Sequence, residues 1–270
     1  ARKNNYESST VESNDEPMPV PSGLVHGWLS AVRAWHAPSI SSGPMNKNEL
    51  DPLSVRPQLK DMLVGVAAML AVYALLIGGA LGLKGLDLGG TVRALMPVLI
   101  ILSLVIPTIA LVVYMKRRGL PLGLRPLGSR GWHLLWQVPL AIVASAACTS
   151  IVAPLLGIES AGQSTPAGAG TMLVLFTLSA YLLIGPFLEE LVFRRLIMGY
   201  LDTVMPAAAS VLLTSLVFGL MHIAPPAIVY TFLAGLTMAL VTRWHRSLWA
   251  GFILHMCNNI LVQLLVFAFV

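Results

Sequence analysis

The chain has 270 residues, of which 56% are hydrophobic and only 11% charged, with a formal net charge of +5. Soluble domains carry about 25% charged residues, so a soluble globular enzyme, a disordered chain and a nucleic-acid binder with a broad basic surface are excluded. Cys148 and Cys257 both lie inside apolar runs and provide neither a disulfide framework nor a CxxC metal site.

Residues 1–58 are rich in Ser, Pro, Asn and charge and read as a cytoplasmic, mostly disordered tail. Within it Leu24, Trp28, Val32 and Trp35 share one helical face, which suits an interfacial helix over 24–36. Gly27 weakens that helix, and a partly ordered linker fits equally well. No signal-peptide core is expected here, and Met45 is an alternative start.

From residue 59 to 270 the pattern is that of an all-α, polytopic transmembrane bundle of about seven spans. They are predicted at 62–83, 94–115, 134–157, 171–193, 206–223, 226–242 and 248–270. A span needs about 20 apolar residues, which most of these supply. The fifth and sixth are short and flank Pro225-Pro226, so they read as a tilted pair or a re-entrant hairpin. No internal repeat of fixed period is present.

The loops orient the bundle. Lys116, Arg117, Arg118, Arg125 and Arg130 follow span two, and Arg243 and Arg246 follow span six, with no acid in either loop. The opposite loops hold Lys84, Asp87 and Arg93, then Glu159 alone, then no charge. The positive-inside rule puts the N-terminus in the cytoplasm. Topology thus accounts for the excess of cations.

Of the 12 acidic residues, only Glu189 and Glu190 fall in a predicted span. A charge at the bilayer centre costs about 2.5–3.5 kcal/mol on insertion scales, so adjacent carboxylates there need partners or a use. Arg194 stands four residues after Glu190, on the same helical face, and can pair with it. Glu189 points elsewhere. The simplest division makes Glu190 structural and leaves Glu189 to face a cavity. Alternatively, both glutamates sit at the cytoplasmic end of span four and snorkel to water.

Two further groups weigh against snorkelling. Phe218 and His222 lie one turn apart in span five, and His255 and Asn259 one turn apart in span seven. Each taken alone has a bland explanation, interhelical hydrogen bonding for the histidines and packing for the asparagines. Together a carboxylate, two imidazoles and an amide can hold and deprotonate water.

Glu189-Glu190-x-x-x-Arg194, Phe218-x-x-x-His222 and His255-x-x-x-Asn259, in that order on successive helices, resemble the motifs of the CAAX-protease and bacteriocin-processing family of intramembrane endopeptidases. That family includes the type II CAAX prenyl endopeptidase. The resemblance covers roughly residues 170–265; the first three spans match only as generic membrane helices. It implies an intramembrane endopeptidase that hydrolyses membrane-associated peptides or proteins. Glu189 would be the general base and His222 its partner on the catalytic water. His255 and Asn259 would complete the site, acting on water or as an oxyanion-stabilising pair. Glu190, Arg194 and Phe218 would support it.

A metal remains open at this point. Glu189, His222 and His255 could form the His-His-Glu set of catalytic zinc, but HExxH is absent and a reading with no cofactor is favoured. The implied partners are a peptide or protein substrate and membrane lipids, with no nucleic acid. Short loops and abundant Ala and Gly lean toward a bacterial cell membrane. The alternatives are a non-proteolytic member of the fold, acting as an immunity protein or membrane regulator, and a proton-coupled transporter. One geometric demand follows. Glu189 falls near the cytoplasmic end of span four while His222 lies far along span five. The site requires span four to continue to about Tyr200, or span five to tilt or start deeper.

Overall fold

A computed structural model describes residues 55–86, 91–158, 178–222 and 224–268. The chain divides into Ala1–Glu49 and Leu50–Val270, and all described residues belong to the second unit. The predicted helix at 24–36, the loop after residue 158 and the start of span four therefore lie outside the described residues.

Lipid offers the backbone no hydrogen-bonding partner, so apolar runs of this length fold as helices. Among the described residues there are seven: α1 Leu59–Gly85, α2 Thr91–Arg117, α3 Leu134–Leu155, α4 over 178–204, α5 Ala207–Leu220, α6 Pro225–His245 and α7 Leu248–Ala268. The structure is thus an all-helical membrane bundle. Five helices (α1, α2, α3 with its preceding 3-10 turn, α6 and α7) are long and apolar enough to cross a membrane. Their outer faces show why. On α1, Leu63, Leu70, Ile77 and Leu81 form one exposed stripe, and on α2 Val98, Leu102, Ile106, Ile109 and Val113 do the same.

The core lies around α4, which packs against α1, α2, α5 and α7. Leu188, Leu191, Val192 and Leu196 of α4 are fully buried. Close approach depends on small residues. A Cβ on Gly65 of α1 would stand 3.0 Å from Leu196, and one on Gly219 of α5 would stand 3.0 Å from both the Ile228 carbonyl and Phe232 of α6.

Span four differs from its expected limits. The helix does not stop near residue 193 but continues to Val204. The arginines that read as a membrane boundary are internal: Arg194 and Arg195 are 3% and 2% exposed. Arg195 donates from Nε to the Pro121 carbonyl at 2.7 Å and from a terminal nitrogen to the Val55 carbonyl at 2.8 Å. With Glu190 facing Arg194 and two carbonyls receiving Arg195 inside the protein, the helix continues past both arginines. α4 is also not a uniform α-helix, since Ala180–Ile184 and Glu190–Ile197 form wider π turns on either side of α-helical Gly185–Glu189. Such π turns are rare and collect at functional sites.

One end of the bundle gathers the cationic loops. The Leu248 amide donates to the Gly123 carbonyl at 2.9 Å, and the Ser247 hydroxyl to the Arg125 carbonyl, so the loops after α2 and α6 meet. Trp132, Trp136 and Trp244 surround His133 at this end, where an interfacial aromatic belt is expected. Asp61, expected just outside span one, is instead a buried acid in the first turn of α1. It accepts from Tyr114 Oη at 2.6 Å, the Gln58 amide at 2.7 Å and Arg118 Nε at 3.3 Å. Asp202 pairs with Arg243 at the same end.

Candidate active site

Glu189 and Glu190 fall where the α-helical middle of α4 passes into its second π turn. The helix now extends well beyond both, so neither glutamate lies at its end. Snorkelling is ruled out for Glu190, whose exposure is 0%. Its Oε1 is 3.2 Å from Arg194 and 3.1 Å from His255 Nδ1. The Glu189 side chain keeps 22% exposure, and its Oε2 lies 3.6 Å from His255 Nε2, an ion-pair distance too long for a hydrogen bond. His255 therefore bridges the two carboxylates, one through each ring nitrogen.

Arg194 is held on three sides. One terminal nitrogen faces Glu190, the other donates at 3.3 Å to the Gly235 carbonyl, and the guanidinium carbon lies 4.5 Å over the Phe218 ring. Phe218 is the hub. Its ring meets Phe193 at 5.1 Å, His222 at 5.1 Å and His255 at 5.7 Å, all edge-on. Gly235 makes room for it, since a Cβ there would stand 3.0 Å from the Phe218 ring. The two histidines thus lie against one phenylalanine.

His222 follows α5, which has 14 residues and spans about 21 Å at 1.5 Å per residue. That is short of a hydrocarbon core of about 30 Å. Starting beside the Asp202–Arg243 end, α5 therefore carries His222 about 21 Å from that end, where the Phe218 ring stands between it and His255. His222 Nδ1 is 3.0 Å from the Phe218 carbonyl. A carbonyl can only accept, so Nδ1 is the donor in this contact, which leaves Nε2 as the ring nitrogen not committed to the backbone.

Asn259 is placed differently from the others. Its Nδ2 donates to the Tyr181 carbonyl at 3.0 Å, and its Oδ1 lies 3.4 Å from Asn258 Nδ2. The reason lies in the first π turn. The Gly185 amide bonds the Ala180 carbonyl, five residues back. In that register the Tyr181 carbonyl would take the amide of residue 186, which is a proline and has none. Asn259 supplies the missing donor from α7. The amide thus ties α7 to α4, and His255 rides one turn earlier on the same helix.

Three participants had no signal in the motifs. Gly251, one turn before His255, is required sterically: a Cβ there would stand 2.2 Å from Thr242 Oγ1 and 2.6 Å from Glu190 Oε2. Thr242 Oγ1 and Glu190 Oε2 are themselves buried without a hydrogen bond, as is Glu189 Oε2. Tyr73 of α1 donates from Oη to the Met221 carbonyl beside His222 at 2.9 Å. A tyrosine in an apolar run and a glycine one turn before a histidine are weak signals, legible only in retrospect. As to metal, the described residues contain no group of three His, Cys, Asp or Glu side chains spaced to hold an ion. His255 faces Glu189 through Nε2 at 3.6 Å and Glu190 through Nδ1 at 3.1 Å.

Residues 170–261 match the family model described as Type II CAAX prenyl endopeptidase Rce1-like. No curated protein and no solved structure gives a significant match to this chain.

Proposed function

Residues 170–261 form an Rce1-like segment of the CAAX-protease family, and from that premise we propose that the chain is an intramembrane endopeptidase working through Glu189-activated water. The observation that carries the reading is the Glu190–His255–Glu189 bridge inside that segment, with the outer carboxylate partly open and the inner one closed. A fully buried Glu190, charge-paired with Arg194, fixes the Nδ1 side of His255. The Nε2 side is then directed at Glu189 Oε2, a buried oxygen that receives no hydrogen bond, while the side chain as a whole keeps 22% exposure.

In this mechanism a water attacks the scissile carbonyl carbon while one of its protons passes to Glu189. His222, whose Nδ1–H is committed to Phe218, orients that water through Nε2. As the C–N bond breaks, Glu189 returns the proton to the leaving amine. His255 steadies the carboxylate through the exchange, and Asn259 keeps α7 in register with α4. No step is routed through a metal. The substrate is a peptide or protein in or at the membrane.

The clustering of Arg118, Arg125, Arg243 and Arg246 at one end supports a cytoplasmic N-terminus. With short loops and an Ala- and Gly-rich composition, a bacterial cell membrane fits best. The test is cleavage of a membrane-tethered peptide by the reconstituted protein, compared with Glu189→Gln and His222→Ala. Glu189→Gln is expected to lower kcat by about 10³-fold and His222→Ala by about 10²-fold, in the range of a lost general base or its partner. Cleavage undiminished in both variants rejects the proposal and favours a non-catalytic, regulatory role.

A further inference from the structure

The Rce1-like segment begins at residue 170, yet the side chain that secures the His222 turn comes from α1, about 100 residues before it. Tyr73 Oη donates to the Met221 carbonyl at 2.9 Å. This carbonyl has a specific need. α5 ends at Leu220, and a helical continuation would pair the Met221 carbonyl with the amide of residue 225. Residue 225 is proline and has no N–H. Among the described residues no backbone amide takes its place. In lipid, where no water can substitute, an orphan carbonyl is costly.

The turn it belongs to is tight. The His222 amide bonds the Gly219 carbonyl at 3.0 Å, and the Ala224 amide bonds the His222 carbonyl at 2.6 Å. Met221 precedes His222 directly, so whatever holds the Met221 carbonyl sets where the imidazole leaves the backbone. Counting 1.5 Å per residue, Tyr73 lies about 18 Å along α1 from Asp61 at the cationic end. Gly65 allows α1 to approach Leu196 and Val192 of α4, which brings Tyr73 to this position.

We propose that Tyr73 is a positioning residue of the active site, latching the His222 turn to α1 and so fixing the imidazole opposite Glu189. The inference rests on the peptidase reading given above, with Tyr73 acting through His222 and not on substrate. It also gives α1 a part in the site, so the Rce1-like segment by itself lacks one of the site's fixings. The same device appears twice: a proline removes a backbone donor beside the site, and a side chain from another helix supplies it. Asn259 does so at Tyr181, and Tyr73 at Met221.

The test is Tyr73→Phe, which removes one oxygen and keeps the ring. It is made in the full-length protein, both alone and in a His222→Ala background. Alone, it is expected to lower kcat about tenfold with KM within about twofold, the size of a modest displacement of a catalytic group. In the His222→Ala background the same change is expected to cost less than about twofold, because the group it positions is gone. A parallel measurement uses ¹⁵N-labelled histidine, with the His222 signal assigned by its loss in His222→Ala; Tyr73→Phe is expected to shift or broaden that signal. Unchanged kcat in Tyr73→Phe, or an equal loss in both backgrounds, overturns the proposal. Should the wild-type protein cleave nothing, the peptidase reading fails, and the latch is then decided by the His222 signal alone: an unmoved signal overturns it.

Discussion

Two buried carboxylate sites in this molecule have opposite surroundings. Asp61, at the cationic end of α1, is fully enclosed and receives a phenol, a backbone amide and a guanidinium. Glu190, in the middle of α4, is as deeply enclosed, but one of its oxygens has no hydrogen bond, and the neighbouring Glu189 Oε2 has none either. Burial is the same; satisfaction is not. A carboxylate saturated with donors is held in one state and stabilises the fold. One with oxygens left over can accept a proton in use, and the cost of its incomplete satisfaction is borne by the rest of the bundle.

Beyond the catalytic pair, the largest effect on turnover that would break this contrast is expected at Gly251. Gly251→Ala drives a methyl group into Thr242 Oγ1 and Glu190 Oε2, displacing the inner carboxylate and with it His255. Cleavage by the purified variant should fall at least about 10²-fold, since misplacement of about 1 Å can cost that much. Near-wild-type turnover would mean that the Glu190–His255 geometry is not needed. Next comes Arg194→Met, which fills much of the volume but leaves Glu190 without its cation. Removing one partner of a buried pair costs about 3–5 kcal/mol, to be read from denaturant unfolding in detergent. A loss below about 1 kcal/mol would show Glu190 to be adequately held without it. The smallest effect is expected at Asp61→Asn, about 1–2 kcal/mol of stability from weakened charge-assisted hydrogen bonds, with kcat per folded molecule unchanged.

The long apolar helices were legible because lipid imposes a simple rule on composition, and the exposed stripes on α1 and α2 obey it. The grouping of Glu189, Glu190, Arg194, Phe218, His222 and His255 on three helices was also readable, since charged and imidazole groups in apolar runs demand partners. What escaped were features set by distant backbone. Arg194 and Arg195 look like the end of a membrane helix until the Pro121, Val55 and Gly235 carbonyls that receive them are seen, and no local pattern announces those. The π turns of α4 break the 3.6-residue period on which face assignments rest, so the partner of Asn259 could not be inferred from its spacing to His255. Gly251 and Tyr73 are ordinary residues for a membrane helix; only the Glu190 carboxylate beside one and the Met221 carbonyl beside the other give them meaning. Asp61 falls one residue outside the predicted span, and no local pattern announces the Tyr114 and Arg118 side chains that enclose it.

The contrast between the saturated and the unsaturated acid reduces to a paired measurement on Glu189→Gln and Asp61→Asn, with cleavage and unfolding followed on the same reconstituted preparations. The account predicts a crossing: Glu189→Gln lowers cleavage about 10³-fold while unfolding stays at or above the wild-type midpoint, and Asp61→Asn unfolds earlier while each folded molecule cleaves at the wild-type rate. Cleavage that is undiminished in Glu189→Gln, or that is lost in Asp61→Asn without loss of fold, would contradict it.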